Sequence, residues 1–356
     1  MINTLFRNSF LTLTYFPDEI QDGIGAQSQR IWKIYTIAHR FRMLYVHTPI
    51  KKIIVERVNL TKMNKPMHRQ VLEDYNRRII LPSTPSQKVG IIKKYSFLTR
   101  KDLFVNYFSS LIWRQNVQLQ VVNTFQVKVS ELPFDQKIYK LQQNKSIKKI
   151  IIHIRNAQPI YGKKDWRNLD INYYLKIHKA IVNQLKRSGV NYETTIFTDY
   201  PKFSSKIPIS LAKKVDLWYH FLSEEELMNK YISIEGIDIK KLYFPDDKNV
   251  TVIHGGSEMK AIDEMVRADY LVLSRSSFSS VAGILNNSYY GGVVIVPPDF
   301  LFLKQKSWKK ASEFIKIEPE WRLQLSEKIL RIYFIKILVQ YVLLIRMVLS
   351  KFSRSR

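Results

Sequence analysis

ADYLVLSRSSFSSVAGILNN, residues 268–287, sets an apolar run, Leu271 to Leu273, ahead of five serines placed around Arg275 and Phe278, then a small-residue segment through Ala282 and Gly283. An apolar strand that breaks into a hydroxyl-rich corner and continues as a helix is the repeating unit of an α/β sheet. At such a corner the first helical N–H groups lack intrahelical acceptors and the helix presents the positive end of its dipole, so hydroxyls and amides gathered there suit an anion. One serine would be a helix cap. Ser276, Ser277 and Ser279 together, with Phe278 packed beneath, read as a phosphate cradle.

Outward from this corner the alternation continues in both directions. Upstream lie the strand IIIHIR (150–155), the helix INYYLKIHKAIVNQLKRSG (171–189), the strand TTIFTDY (194–200), helical material through residue 230, the strand VTVIHGG (250–256) and the helix SEMKAIDEMVRAD (257–269); downstream lies the strand GVVIVPP (292–298). Short strands alternating with helices give a doubly wound α/β sheet. Nearer the N-terminus, a strand over Phe10–Phe16, the loop PDEIQDGIGAQ, a helix with Ile31, Ile34, Tyr35, Ala38 and Phe41 on one face, and a strand at Leu44–Val46 form a second β-loop-α-β opening. Residues 85–145 show no clean period, and KLQQNKSIKK (140–149) reads as a linker.

At 356 residues and 46% hydrophobic, the chain can bury cores of two domains of ordinary size. It holds no cysteine, which excludes disulfides, thiolate metal sites and cysteine nucleophiles. With 57 Lys+Arg against 30 Asp+Glu the net charge is +27, suited to an anionic partner: nucleic acid, an acidic lipid surface or a phosphorylated small molecule. Lys, Ile, Asn and Tyr are abundant together, so a general compositional lean accounts for the excess equally well. The basic residues follow no helix-turn-helix, zinc-finger or RNP-type signature.

The first residues lack a charged region, apolar stretch and cleavage site in sequence, so no signal peptide is expected. Near the C-terminus, the uncharged run between Lys336 and Arg346 is too short to span a bilayer. At helical spacing Leu330, Phe334, Ile337, Leu338, Tyr341, Leu344, Ile345 and Val348 share one face, an amphipathic helix. Only basic charges follow Glu327, a pattern suited to an anionic membrane surface as well as to a helix closing the protein's own core. A cytoplasmic or cytosol-facing peripheral membrane location is the expectation.

Four loops sit where an α/β sheet places its ligands, at the carboxyl ends of strands. Gly23 and Gly25 in DGIGAQ permit a close backbone approach ahead of the helix opened by Gln27, and also make an ordinary tight turn. His153 and Arg155 lie on one side of the strand end, and Arg155 can fork two donors onto a diphosphate or simply face solvent. Asp199, after Thr198, can orient a sugar hydroxyl or a neighbouring Arg, or cap a helix. The serine corner is the fourth.

In this order, DGIGAQ, IIIHIR, IFTD and ADYLVLSRSSFSSVAGIL resemble the fucosyltransferase-like superfamily of GT-B glycosyltransferases, which holds α-1,2, α-1,6 and protein O-fucosyltransferases; the motifs fall within residues 10–298. The resemblance implies two Rossmann-like domains facing a cleft: an acceptor-side domain over 1–145 and a nucleotide-sugar-binding domain over 146–305, followed by a basic helical segment over 306–356. It implies a GDP-sugar donor, usually GDP-fucose, with Arg155 on the diphosphate and Ser276, Ser277, Phe278 and Ser279 lining the nucleotide site. Gly23, Gly25, Gln27, His153 and Asp199 complete the expected donor-binding set.

Where many members read His-x-Arg-Arg followed closely by an acid, this chain reads His153-Ile154-Arg155-Asn156, and its first downstream acid is Asp165. Members work by inversion without a metal, and no Asp-x-Asp pair stands out here, so no metal or cofactor is expected. Asp165 is the candidate base for the acceptor hydroxyl, and it can equally pair with Lys163 or Lys164. A glycan or lipid-linked glycan is the expected acceptor; a basic membrane-surface or nucleic-acid-binding protein on an inert α/β body is the alternative.

Overall fold

The computed structural model of the chain describes residues 12–14, 23–40, 44–51, 65–78, 147–155, 167–199, 202, 205–207, 232–234, 237–300, 305 and 307–321. In chain order the elements are β1 (Thr12–Thr14), α1 (Ile24–Arg40), β2 (Leu44–Val46), α2 (Lys65–Arg78), β3 (Ile147–Ile154), α3 (Ile171–Arg187), β4 (Asn191–Thr198), β5 (Ser205–Ile207) and β6 (Ile232–Ile234). They continue as α4 (Ile239–Tyr243), β7 (Val250–His254), α5 (Glu258–Val266), β8 (Tyr270–Val272), α6 (Ser277–Leu285), β9 (Val293–Val296) and β10 (Lys309–Lys310).

Isoleucines at 150–152 and 154 make β3 a strand that must be covered on both faces, and it becomes the interior of a six-stranded sheet ordered β10-β9-β8-β3-β4-β7. Every pairing in that sheet is parallel. Counted in chain order the six strands run 6-5-4-1-2-3, the doubly wound arrangement, with its reversal of direction between β3 and β8. Ile150, Ile151 and Ile152 lie opposite Tyr270, Leu271 and Val272.

The pleat sorts side chains into two cores. Ile150, Ile152, Ile154, Val272 and Ile295 face a cluster formed with Tyr173, Tyr174, Ile177 and Ile181 of α3. Ile151, Leu271, Leu273, Val294 and Val296 face a second cluster with Met259, Ile262 and Met265 of α5 and Val281, Ile284 and Leu285 of α6. Asp170 begins α3 by accepting the Asn172 N–H at 2.7 Å. Asn286, fully buried after α6, donates its side-chain amide to the carbonyls of Met265, Val266 and Ala268 and so closes the C-terminal end of α5.

The second core also takes in Ile31, Trp32, Ile34 and Tyr35 of α1 and Val71 and Tyr75 of α2. Arg78 at the end of α2 forks onto Asp263 of α5 at 2.7 and 3.1 Å and reaches Asp74 at 2.9 Å. Tyr45 of β2 joins the same cluster, so α1, α2 and β2 share a core with the sheet, and β2 pairs parallel with β1. Residues 79–146, and with them the boundary expected at 145/146, lie outside the described set.

Three details differ from the sequence reading. The stretch read as a linker already contains the start of β3 from Ile147, whose first residues escape pattern recognition because they pair with β4 alone, ahead of the β8 pairing that starts at Ile150, and are exposed or half-buried there. Within residues 307–321, grouped with the C-terminal helical segment, Lys309–Lys310 instead pairs with β9 as the edge strand β10, and Trp321 packs edge-on against Tyr173 at 5.6 Å. A two-residue exposed Lys-Lys strand leaves no hydrophobic period to read. Finally, within the helical material expected through residue 230, Ser205–Ile207 pairs antiparallel with Ile232–Ile234. Among the described residues no helix is long and apolar enough to cross a membrane; the amphipathic helix expected over 327–356 lies outside them.

His178, buried between α3 and β4, contacts Thr194 Oγ1 at 2.9 Å through Nε2. Burial, aided by Lys186 and opposed by Asp247, pushes its pKa down from 6.5 to about 4. The unfolded chain thus takes up this proton first as pH falls, so stability from this group is complete above about 6.5 and drains away toward 4. Urea unfolding between pH 7 and pH 4 is expected to show a loss of about 3 kcal/mol from this group, and His178→Leu to flatten that part of the profile.

Candidate functional site

The carboxyl ends of β3 and β8 lie side by side at the point where the sheet reverses direction, the place where open α/β sheets form a crevice. Three of the four loops singled out in the sequence meet there. His153 Nδ1 lies 2.6 Å from Ser274 Oγ. Ser274 Oγ lies 3.4 Å from Ser279 Oγ, which donates to the Ser274 and Ser276 carbonyls at 3.2 and 3.3 Å. His153, Ser274 and Ser279 are all buried, so this polar chain fastens the corner from inside; Ser274 is in no position to act as an exposed nucleophile.

Ser276 has a different task. Its Oγ accepts the Phe278 N–H at 3.2 Å, capping α6, and accepts Arg155 Nη1 at 3.3 Å. A guanidinium is therefore held at the positive end of a helix. Phe278 packs its ring 5.6 Å from the His153 ring. Ser277 and Phe278 remain half-buried, as does Arg155.

The glycine loop reaches the same corner. A Cβ on Gly25 would fall 2.6 Å from the Ser277 carbonyl carbon and closer still to the Phe278 backbone, so the second residues of α1 and α6 touch main chain to main chain. Gln29 Nε2 donates to the Ser277 carbonyl at 3.1 Å and secures the crossing. Gln27, expected at the ligand, is fully buried, and its N–H donates to the Gly23 carbonyl at 3.2 Å. Two helix N-termini thus converge beside Arg155.

Charge distribution sets this place apart. Helices α3 and α4 begin with the capping carboxylates Asp170 and Asp238, and α5 carries Glu258 in its first turn. Neither α1 nor α6 has an acidic residue in its first turn, and Ser276 is a neutral cap. Among the described helices, α3, α4 and α5 thus carry an acid at the cap or in the first turn, whereas α1, α6 and also α2 carry none in theirs.

Asp199 follows β4, one strand further along the same edge, and is half-buried. Beyond it, Gly255 and Gly256 follow β7 with φ of 71° and 107°, and the Gly255 N–H donates to the Thr198 carbonyl at 2.9 Å. This His254-Gly255-Gly256 turn extends the rim and was not singled out in the sequence, although a glycine pair between an apolar strand and the Ser257-capped helix is a readable signal. Asp165 lies outside the described residues. Among the described residues no group of three or more His, Asp or Glu could hold a metal ion.

No family model matches the chain, and no curated protein matches its sequence. Among solved structures it is similar to the α-1,6-fucosyltransferase NodZ co-crystallised with GDP, at 11% identity over 76% of this chain and 90% of that one, with a TM-score of 0.31. NodZ from Bradyrhizobium, in a separate structure, gives 11% identity over 77% and 92%, with a TM-score of 0.31. The ADP-heptose LPS heptosyltransferase II of E. coli gives 10% identity over 93% and 99%, with a TM-score of 0.32. Similarity at this level assigns no role to any residue of this chain.

Because Gly25 meets backbone, which cannot step aside, Gly25→Ala is expected to force α1 away from α6 and lower stability by about 2 to 3 kcal/mol. Urea denaturation measures this; an unchanged midpoint would mean that the two helices do not abut at this residue.

Proposed function

We propose that the chain is a glycosyltransferase whose donor is a nucleoside-diphosphate sugar, with the diphosphate seated in the β3/β8 crevice. The observation that supports this is the meeting of Arg155 with the N-terminal turns of α1 and α6, neither of which carries an acid in its first turn. A diphosphate accepts N–H groups from helix ends and from a guanidinium alike. The sequence resemblance adds the finer reading: GDP-fucose as donor and metal-independent inversion as mechanism.

In that mechanism the acceptor hydroxyl oxygen attacks the anomeric carbon from the face opposite the leaving group, and the bond from that carbon to the β-phosphate oxygen breaks. The acceptor proton passes to a base, for which Asp165 is the proposed group, and charge developing on GDP is met by Arg155 and the N-terminal end of α6. Ser276 keeps Arg155 oriented, while the buried His153–Ser274–Ser279 chain keeps the corner's shape. Asp199 is proposed on a sugar hydroxyl. A glycan or lipid-linked glycan is the proposed acceptor, with residues 327–356 resting on an anionic membrane surface at the cytosolic side.

Thermal stabilisation measured with GDP, UDP, CDP and ADP in the presence of EDTA tests the donor. A shift for GDP that survives EDTA is expected, and a preference for another diphosphate would keep the site and discard fucose. Arg155→Ala removes a charged donor worth about 1.5 to 3 kcal/mol, so diphosphate affinity is expected to fall roughly ten- to a hundredfold. Unchanged affinity and transfer in that variant would refute the assignment.

A further inference from the structure

Arg275 stands between Ser274 and Ser276 and turns away from the crevice. Its side chain runs to the opposite side of the corner and is 3% exposed. Nε and Nη2 both donate to the Pro298 carbonyl, at 3.3 and 3.2 Å, and Nη2 also donates to the Trp321 carbonyl. Pro298 belongs to the turn after β9, where Asp299 holds a left-handed backbone at φ 54°. Trp321 closes the 307–321 segment, which is pinned to α3 by the Tyr173 ring, by Lys176 over the indole at 4.8 Å and by the Lys176–Glu318 pair at 3.0 Å.

One side chain therefore ties three segments that are distant in sequence: the serine corner, the β9 turn and the end of the 307–321 strap. Neither Lys nor Gln reproduces the grip. A lysine has no fork to place on one carbonyl while reaching a second, and glutamine is too short and has no charge. The residues on either side of Arg275 are the ones that contact the ligand-facing and structural partners: Ser274 holds His153, and Ser276 holds both Arg155 and the start of α6.

We propose that Arg275 is a positioning residue for the β3/β8 crevice: by gripping the Pro298 and Trp321 carbonyls it fixes the backbone from which Ser274 and Ser276 set His153, Arg155 and the α6 N-terminus. The strap over α3 is thereby linked to the site across the sheet. The consequence for nucleotide binding rests on the proposed diphosphate site; the grip itself does not.

The test uses the full chain with three variants: Arg275→Lys, Arg275→Gln, and Trp321→Ala, which loosens the strap while leaving Arg275 in place. Hydrogen exchange is followed without nucleotide, and GDP affinity is measured with EDTA well below the melting midpoint, where a loss of global stability alone leaves the folded fraction's affinity unchanged. Exchange at residues 274–280 is expected to rise about tenfold or more in all three, while β3 and β4 amides keep their protection. GDP affinity is expected to weaken about tenfold, with Lys no better than Gln. If the Arg275 variants do not fold, Trp321→Ala carries the same comparison. Corner protection and GDP affinity matching the wild type in the folded variants would overturn the inference. Wild-type protein that fails to bind GDP while the exchange responses appear would instead overturn the diphosphate site and leave the grip of Arg275 standing.

Discussion

The pairing of β3 with β8 is the constraint from which the rest of the site follows. Once these strands are neighbours, the chain leaving β3 departs toward α3 on one face and the chain leaving β8 enters α6 on the other, so the two carboxyl ends part and leave a crevice. Ile151 and Leu271 sit side by side on the α5/α6 face, with Leu273 two positions further along β8; the chain then leaves the strand at Ser274, whose hydroxyl meets His153 at the end of β3. The 2.6 Å contact between them bridges the reversal point and is buried.

Around that bridge the structure separates work that chemistry would otherwise mix. Buried hydroxyls at Ser274 and Ser279 satisfy backbone and imidazole groups and hold shape. Ser277, Phe278 and Arg155 are half-buried at the corner, with Ser276 accepting both the Phe278 N–H and Arg155. Arg275 places a second cation behind the corner, where burial lowers its pKa while Asp299, Tyr174 and Tyr173 act in the opposite direction. Backbone approach at Gly25 brings a second helix end to the crevice without a side chain in the way. In the proposed function, a site built in this manner would meet a diphosphate with dipoles already in place and would need little reorganisation as charge develops.

The sheet was legible from the sequence because its strands are short apolar runs bounded by turns, and IIIHIR, TTIFTDY and YLVLS each locate a real strand. The convergence of loops at the carboxyl edge followed from the doubly wound rule. What could not be read was which serine does what. The five hydroxyls look alike in sequence, and their division depends on helix phase and on α1, which arrives from 250 residues away to bury one side of α6. For the same reason Gly25 read equally well as a plain turn residue, since its partner, Phe278, is distant in the chain. The roles of Arg275 and of the 307–321 strap were hidden because carbonyl acceptors leave no mark on the residue types that supply them. His254-Gly255-Gly256 was readable as a glycine turn and was taken only as a strand end.

The central claim is that a nucleoside diphosphate binds where the N-termini of α1 and α6 meet beside Arg155. The most direct measurement is amide chemical-shift perturbation in isotope-labelled protein on adding GDP with EDTA. The account predicts the largest shifts at Gly25, Ala26, Ser277 and Phe278, with a matching change at the Arg155 side chain. Shifts confined to other strand ends, or saturation binding that leaves these amides unmoved, would contradict it.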